Sequence, residues 1–486
     1  MLLALALSSL CFAQRANAES IARPNIVILY ADDMGYGDLS VQNPKSKIPT
    51  PYLDKLAAEG CRFTDAHSSS GICSPSRYAL LTGQYHWRKF HNIVQSFGPS
   101  VFAAEQLTMP EMLKGKGYAT ACIGKWHLGW DWDTIRKSPG VAPDAFDWSK
   151  PIPNGPLAHG FDYYFGDDVP NFPPYTWIEN DKVLIEPTIA LTATPPTAEG
   201  NWEARPGPMA LGWQMDAVMP KLTEKAVGYI AGRKGKTEPF FLYMPFTSPH
   251  APIVPTKQFI GKSKAGGYGD FMVQTDWTCG QVLKALDDNG LRDNTIVIFS
   301  ADNGPENYSI AREANHEHFS RGELRGYKRH IYEGGHRVPT IVRWPGVVEA
   351  GRVEDALMGQ IDLMATLAAA AGADLPAGQA IDSLNMLPLW KGQDLEAPIR
   401  TSMVHNTFAR QYAVRKGDWV LVNINSPATA GPGEAPRNNR AGKDPADDLY
   451  NLRNDLGQTK RLTEEQPTKV AELKAEFEKI RAKGQR

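Results

Sequence analysis

The sequence predicts an α/β fold: a large, mostly parallel mixed sheet flanked by helices, followed by a smaller C-terminal α+β subdomain. Three observations predict it. Short apolar runs, several of them β-branched, recur at 25–30 (NIVILY), 118–123 (YATACI), 239–244 (PFFLYM), 295–299 (TIVIF) and 340–343 (TIVR). Unbroken apolar runs suit strands buried on both faces, as in a parallel sheet. Helical patterns alternate with these runs, the arrangement that gives parallel pairing. From about residue 395 the pattern shifts to hairpin signals and a charged closing helix.

The chain has 486 residues, enough for a large core and more than one domain. Its content is 42% hydrophobic and 22% charged, as in a globular protein, and its formal net charge is −2. No long basic run is present, which argues against a nucleic-acid partner. No apolar stretch after the N-terminus is long enough to span a bilayer. Residues 1–18 have a short apolar region and end in Ala16-Asn17-Ala18, a small-residue cleavage site. They are expected to be a signal peptide, which makes the protein secreted or periplasmic, although no Lys or Arg precedes the apolar run. The expected division is then 1–18 signal peptide, 19–375 catalytic domain and 376–486 C-terminal subdomain. Cys61, Cys73, Cys122 and Cys279 remain after cleavage, too few for a disulfide framework and without a C-x-x-C pair.

In order, the 25–30 strand ends in Asp32 and Asp33. Thr50-Pro51 opens a helix that stops at Gly60. A strand over 61–66 leads to a helix after Cys73, with Ser74 as N-cap, Pro75 in the first turn and Gly83 as its stop. A helix over 109–114 precedes the 118–123 strand, whose exit carries Lys125 and His127. Residues 130–215 are rich in Pro, Gly and Trp and read as long ordered loops that wall a pocket. Helices over 222–230 and 271–286 flank the 239–244 strand, which exits at Ser248-Pro249-His250. The 295–299 strand exits at Asp302 and Asn303. A helix over 360–371, a loop over 382–389, a hairpin from 411–414 to 418–423, a loop over 427–445 and a helix over 467–483 complete the chain.

Ligands of parallel sheets bind beyond the carboxyl ends of strands. Two such ends carry Asp32-Asp33 and Asp302-Asn303, an all-oxygen set suited to Ca²⁺ or Mg²⁺; three close carboxylates need a cation to coexist. Arg77, Lys125, His127, His250 and Lys328 fall at strand exits or helix starts on the same face. Together they describe a basic pocket for a small oxyanion. The helix start at Cys73 also favours an anion, and only a nearby negative charge explains Arg77 in that turn. His316, His318, His330 and His336 lack zinc spacing and read as loop residues.

Residues Cys73-Ser74-Pro75-Ser76-Arg77 match the C-x-P-S-R signature of the type I sulfatases, and residues 124–129 (GKWHLG) resemble the second signature of that family. Further matches are 32–38 (DDMGYGD), 248–250 (SPH), 300–304 (SADNG) and 332–339 (YEGGHRVP), with a fainter one at 449–452 (LYNL). The resemblance implies an alkaline-phosphatase-like fold and hydrolysis of sulfate monoesters. Cys73 is similar to the cysteine that a formylglycine-generating or anaerobic sulfatase-maturating enzyme oxidises to formylglycine (3-oxoalanine), whose hydrate attacks sulfur. A Ser or Thr could attack but has no second hydroxyl with which to release sulfate. By the same resemblance Asp32, Asp33, Asp302, Asn303 and the modified residue 73 hold one Ca²⁺, and Arg77 steadies the hydrate. Lys125, His250 and Lys328 bind sulfate oxygens, His250 or Lys328 protonates the leaving alcohol, and His127 takes the proton of the second hydroxyl. Asp168 or Asn171 is a candidate for the remaining polar sulfate contact. Tyr327 stands where the family has glycine.

The expected substrate is a sulfated small molecule, with a sulfated carbohydrate favoured because many of the twelve tryptophans fall in the 130–213 loops. The alternatives are a phosphate or phosphonate ester hydrolase of the same superfamily and an inert, sulfatase-like binding protein.

Overall fold

The computed structural model describes residues 23–192, 197–199, 204–408, 411–424 and 447–483. The expected signal peptide and the loop over 427–445 lie outside these residues. The strands are β1 (Asn25–Ala31), β2 (Cys61–Phe63), β3 (Ala66–His67), β4 (Ala119–Ile123), β5 (Tyr163–Gly166), β6 (Ile178–Glu179), β7 (Lys182–Val183), β8 (Ile189–Leu191), β9 (Gly207–Met209), β10 (Phe240–Pro245), β11 (Thr295–Ala301), β12 (Thr340–Arg343), β13 (Arg352–Glu354), β14 (Met358–Gly359), β15 (Ser402–Phe408), β16 (Gln411–Lys416), β17 (Trp419–Ile424) and β18 (Asp448–Asn451).

Ten of them form one sheet in the order β13-β2-β12-β11-β1-β10-β4-β5-β6-β7. Its centre, β11-β1-β10-β4-β5, is parallel throughout, and antiparallel pairs flank it on both sides. This is the mostly parallel mixed sheet expected. Strand β1 shows why its run is apolar throughout. Ile26, Ile28 and Tyr30 enter the core on one face, and Val27, Leu29 and Ala31 enter the core on the other. Successive side chains alternate faces, so a strand covered on both sides has no polar position to spare.

The helices Pro51–Ala58, Val218–Ala231 and Gly266–Asp288 cover one face, and Cys73–Thr82, Met109–Lys114 and Leu363–Ala371 cover the other. The 61–66 strand is two strands, because the chain leaves the large sheet after Phe63 and β3 pairs instead with β14. The 382–389 loop contains a short helix, Leu387–Trp390, and Trp390 is fully buried in the main core.

The C-terminal sheet is antiparallel, in the order β15-β16-β17-β18. Its outer strand β15 had no clear alternation to reveal it. The closing helix Pro467–Ala482 buries Leu473 and Phe477 in one apolar cluster with this sheet and with Ala79, Tyr85 and Trp87 of the main body.

Candidate active site

The carboxyl ends of β1, β4, β10 and β11 meet the start of the Cys73–Thr82 helix. The helix begins at Cys73 itself, with extended Ile72 as its N-cap (φ −147°, ψ 152°), rather than at Pro75 after a Ser74 cap. Ser74 is otherwise engaged: its hydroxyl accepts from the Val94 amide at 3.0 Å. Gly83 ends the helix in the left-handed region as expected, at φ 64°.

Three buried carboxylates and three buried cations surround Cys73. Arg77 donates from Nε and Nη2 to Asp302 Oδ2 at 3.1 and 2.7 Å. Lys125 Nζ lies 2.7 Å from Asp32 Oδ2, and Lys328 Nζ lies 2.7 Å from Asp33 Oδ2. With the helix starting at Cys73, Arg77 is its fifth residue and lies past the first turn, but it does have the negative neighbour expected. Tyr327, in place of glycine, turns its hydroxyl to Glu313 at 3.1 Å and leaves Lys328 free to reach Asp33.

The electrostatics follow from burial and pairing. Burial works against the Asp33 carboxylate, but Lys328, His250 and Lys125 hold its pKa well below the usual range. Asp302 is pushed up to about 6 by burial and by the charge of Asp32, against the pull of Arg77. Burial opposes charge on Lys328, yet Asp33 holds its pKa above the usual lysine value. Burial pulls His250 down to about 3 and His127 well below the ordinary histidine value.

Cys73 Sγ lies 3.7 Å from Asp32 Oδ1 and 4.0 Å from Asp33 Oδ1. Burial pushes its thiol up to about 12. A thiol so placed is a poor nucleophile near neutral pH, since the thiolate is the reactive form.

The residues fit a hard cation. Asp32, Asp33, Asp302 and Asn303 supply oxygens, and Asn303 Oδ1 is buried without a hydrogen-bond partner. Its amide nitrogen donates to Asp33 Oδ1 at 2.8 Å, which ties it to the carboxylates. An orphaned carbonyl oxygen beside crowded carboxylates suits all-oxygen ligation of Ca²⁺.

A cleft of about 40 Å³ opens over Cys73. Asp33, His127, His250 and Lys328 line its floor. His127 has φ 55°, and its Nε2 meets Val94 O at 2.9 Å while Nδ1 has no partner. Of the two candidates for a further polar contact, Asn171 lines the cleft with an unpartnered Oδ1. Asp168 instead accepts from the His127 amide at 3.1 Å.

The walls hold residues that no sequence pattern marked: Phe172, Arg205, Glu306, Tyr308 and Arg329. Among the described residues no tryptophan lines the cleft. Trp130, Trp132 and Trp148 are buried in the core, so their place in the 130–213 loops does not put them against a substrate. The loop reading of the histidines holds for His318 and His330 and is corrected for the other two. His316 ends a helix, His318 is buried against Asp38 at 2.8 Å, and His336 is buried in a short helix.

Fold and site together define an α/β enzyme with a cation-ready, anion-ready pocket at the carboxyl edge of its sheet. A family model described as Sulfatase matches residues 24–373. An N-acetylgalactosamine-6-O-sulfatase of Bacteroides thetaiotaomicron is 33% identical, over 97% of this chain and 95% of that protein. The human N-acetylgalactosamine-6-sulfatase is 34% identical over 77% of this chain and 67% of its own length. A solved structure titled for the metabolism of multiple glycosaminoglycans by Bacteroides thetaiotaomicron superposes with a TM-score of 0.80 at 32% identity, covering 94% of this chain and 99% of that one. The chain belongs to the sulfatase family, within the alkaline-phosphatase-like superfamily, and is a sulfuric ester hydrolase.

Proposed function

We propose that this sulfatase removes sulfate from a sulfated saccharide, with 6-sulfated N-acetylgalactosamine as its preferred unit, using residue 73 as formylglycine and one Ca²⁺. The observation that carries the mechanism is the placement of Cys73. Its Sγ sits among two carboxylates and the cations that pair them, while burial holds the thiol at about 12. Position 73 is thus built for a reacting group that is not a thiolate. The substrate follows from the names of the bacterial and mammalian relatives above.

Formylglycine would supply a hydrated aldehyde as nucleophile, and Ca²⁺, held by Asp32, Asp33, Asp302 and Asn303, would supply charge for an anionic substrate. The chain's own groups do the rest. Lys125, Lys328 and His250 hold sulfate oxygens, and the Lys328 ammonium keeps its charge through Asp33. Lys328, whose charge Asp33 sustains, gives a proton to the departing alcohol oxygen. His127 is neutral, lines the cleft and has no partner at Nδ1, so it can accept a proton; Nε2–H donates to Val94 O and fixes that tautomer. Arg77 orients Asp302 and residue 73. Asn171 Oδ1 accepts from a substrate hydroxyl or amide.

A maturating enzyme that oxidises Cys73, export directed by residues 1–18 and the division at 375/376 belong to the same proposal. Among the described residues no helix is long and apolar enough to cross a membrane.

The test is a paired assay. The 6-sulfates of N-acetylgalactosamine and N-acetylglucosamine, a steroid sulfate, and an aryl sulfate beside an aryl phosphate are compared, with mass spectrometry of the residue-73 peptide. Turnover should favour the first sugar, sulfate should exceed phosphate, and the peptide should carry an aldehyde. An unmodified thiol in active enzyme defeats the mechanism, and preference for the steroid defeats the substrate.

A further inference from the structure

One cation of the cleft wall, Arg205, has no place in the mechanism above. It is half-buried and lines the cleft beside Asn171 and Phe172. Its backbone is pinned. The Arg205 amide donates to Asn171 O at 3.0 Å, and the Tyr175 hydroxyl lies 3.0 Å from Asn171 O and 2.7 Å from Arg205 O. Its side chain is held as well. The guanidinium carbon lies 3.7 Å from the centroid of the Phe172 ring, and Nη1 donates to Gln95 Oε1 at 3.1 Å.

The same neighbours tie Arg205 to the reacting centre. Phe172 meets the His127 ring edge-on, with centroids 5.5 Å apart and planes 79° apart. Gln95 follows Val94, whose carbonyl accepts from His127 Nε2 at 2.9 Å and whose amide donates to Ser74 Oγ at 3.0 Å. Arg205, Phe172 and His127 thus form a stack that runs from the cleft wall toward residue 73.

The chemistry follows from this packing. An arginine keeps its charge at any working pH. A guanidinium this close to a ring centroid is held by its face, which directs its N–H groups outward in its own plane. That edge matches two oxygens of a carboxylate or a sulfate. Gln95 is neutral, so it orients the group without cancelling its charge. Fixing the side chain before binding also lowers the entropy lost when a ligand docks. The scissile sulfate is already served by Lys125, Lys328 and His250. Arg205 stands one aromatic ring beyond His127, which suits an acidic group on the next part of the substrate.

We propose that Arg205 is a specificity residue that binds a second acidic group of the saccharide, a carboxylate or a further sulfate, beyond the sulfate being cleaved. This rests on the saccharide reading above and narrows it: a sugar whose sole charge is the scissile sulfate lacks one contact.

Three substrates test it: N-acetylgalactosamine 6-sulfate alone, the same sugar with a second sulfate, and the same sugar linked to a uronic acid. Wild type should prefer an acidic partner substrate to the first, and the better of the two tells sulfate from carboxylate. Arg205→Gln removes the charge and should cut that preference, read as a ratio of kcat/KM values, by at least about tenfold, mainly through KM. Arg205→Lys should restore part of it. Added salt should erode the preference in wild type more than in Arg205→Gln. An arginine that only braced Phe172 would lose kcat on all three substrates alike, and that equal loss overturns the proposal. So does a wild type with no preference for either acidic substrate. Wild type that turns over none of the three sugars defeats the saccharide reading and the role of Arg205 with it. A preference that Arg205→Gln leaves unchanged defeats the role of Arg205 alone.

Discussion

The Arg77 guanidinium holds a single oxygen of Asp302 through two of its nitrogens, and neither side chain is exposed to solvent. The other oxygen of Asp302 accepts from the Asp33 amide at 3.1 Å. Removing one partner of a buried ion pair strands the other charge, at a cost of about 3–5 kcal/mol. Arg77→Ala is therefore expected to lower stability by that order and to abolish turnover. Arg77→Lys keeps the charge but loses the fork and should fall between. Urea denaturation of the three proteins checks the order; equal stability of Arg77→Ala and wild type would contradict it.

Chelation should matter for the same reason. Asp302 already sits at about 6 because Asp32 and burial work against its charge. A bound cation relieves this repulsion in the folded state only. At a Ca²⁺ concentration one hundred times its Kd, linkage adds about 2.7 kcal/mol to stability. Calcium should raise the Tm of chelated wild type, and Asn303→Ala, which deletes the orphaned oxygen, should shrink that rise. No calcium-dependent shift in wild type would remove the metal reading.

The central sheet was legible because β1, β10 and β11 are buried on both faces and therefore apolar except at Asn25, Thr295 and Ser300. The site was legible in part, because strand ends and a helix start are where a parallel sheet gathers ligands. The physical clue in Arg77, a cation expected in the first turn of a helix, was met by Asp302, 225 residues away. The cleft walls were not legible. Glu306, Tyr308 and Arg329 come from irregular chain, where no periodicity ties a residue to a face. The tryptophans misled because their loops do wall the cleft, while their large apolar rings pack inward.

Asn171 tests how the cleft reads its substrate. The residue is 1% exposed and lines the cleft, and its Oδ1 is buried without a partner. An unpaired acceptor is costly until a ligand donates to it. Asn171→Ala should raise KM by about tenfold, the worth of roughly one such hydrogen bond, with a smaller change in kcat. An unchanged KM with a collapsed kcat would make Asn171 a participant in the chemistry instead.

Acid should destabilise the protein through histidines that fold neutral. Burial pulls His159 down to about 4 and His86 down to about 3. Unfolded, each titrates near 6.5. Below that value the unfolded chain binds more protons than the folded one, so stability falls with falling pH. The loss begins near 6.5 and continues toward about 4 for His159 and about 3 for His86. His159→Gln should lower stability at pH 7.5, because the ring packs against Phe102 with centroids 4.2 Å apart. Its stability should nevertheless decline less steeply between pH 7.5 and 5. Parallel declines in wild type and variant would refute the assignment.

Gly124 shows how closely the exits of β10, β4 and β5 are packed. It sits at φ +136°, its amide donates to Phe165 O at 2.8 Å, and the next amide, of Lys125, donates to Pro245 O at 2.8 Å. A Cβ on Gly124 would stand 1.8 Å from that same Pro245 oxygen. The obstacle is backbone, so it cannot swing away as a side chain could. Gly124→Ala must shift one strand exit against another, and Lys125 and His127 ride on the one that moves. A residue with a Cβ in this backbone region costs about 1–3 kcal/mol before any clash is counted. Gly228 is the control: it lies in the helix Val218–Ala231, and a Cβ there meets nothing within 4 Å. Gly228→Ala should stabilise by up to about 1 kcal/mol with turnover unchanged. Gly124→Ala should lose both stability and turnover, the latter by more than its folded fraction accounts for. If activity per folded molecule were unchanged in Gly124→Ala, the exit of β4 would not be what sets Lys125 and His127 in place.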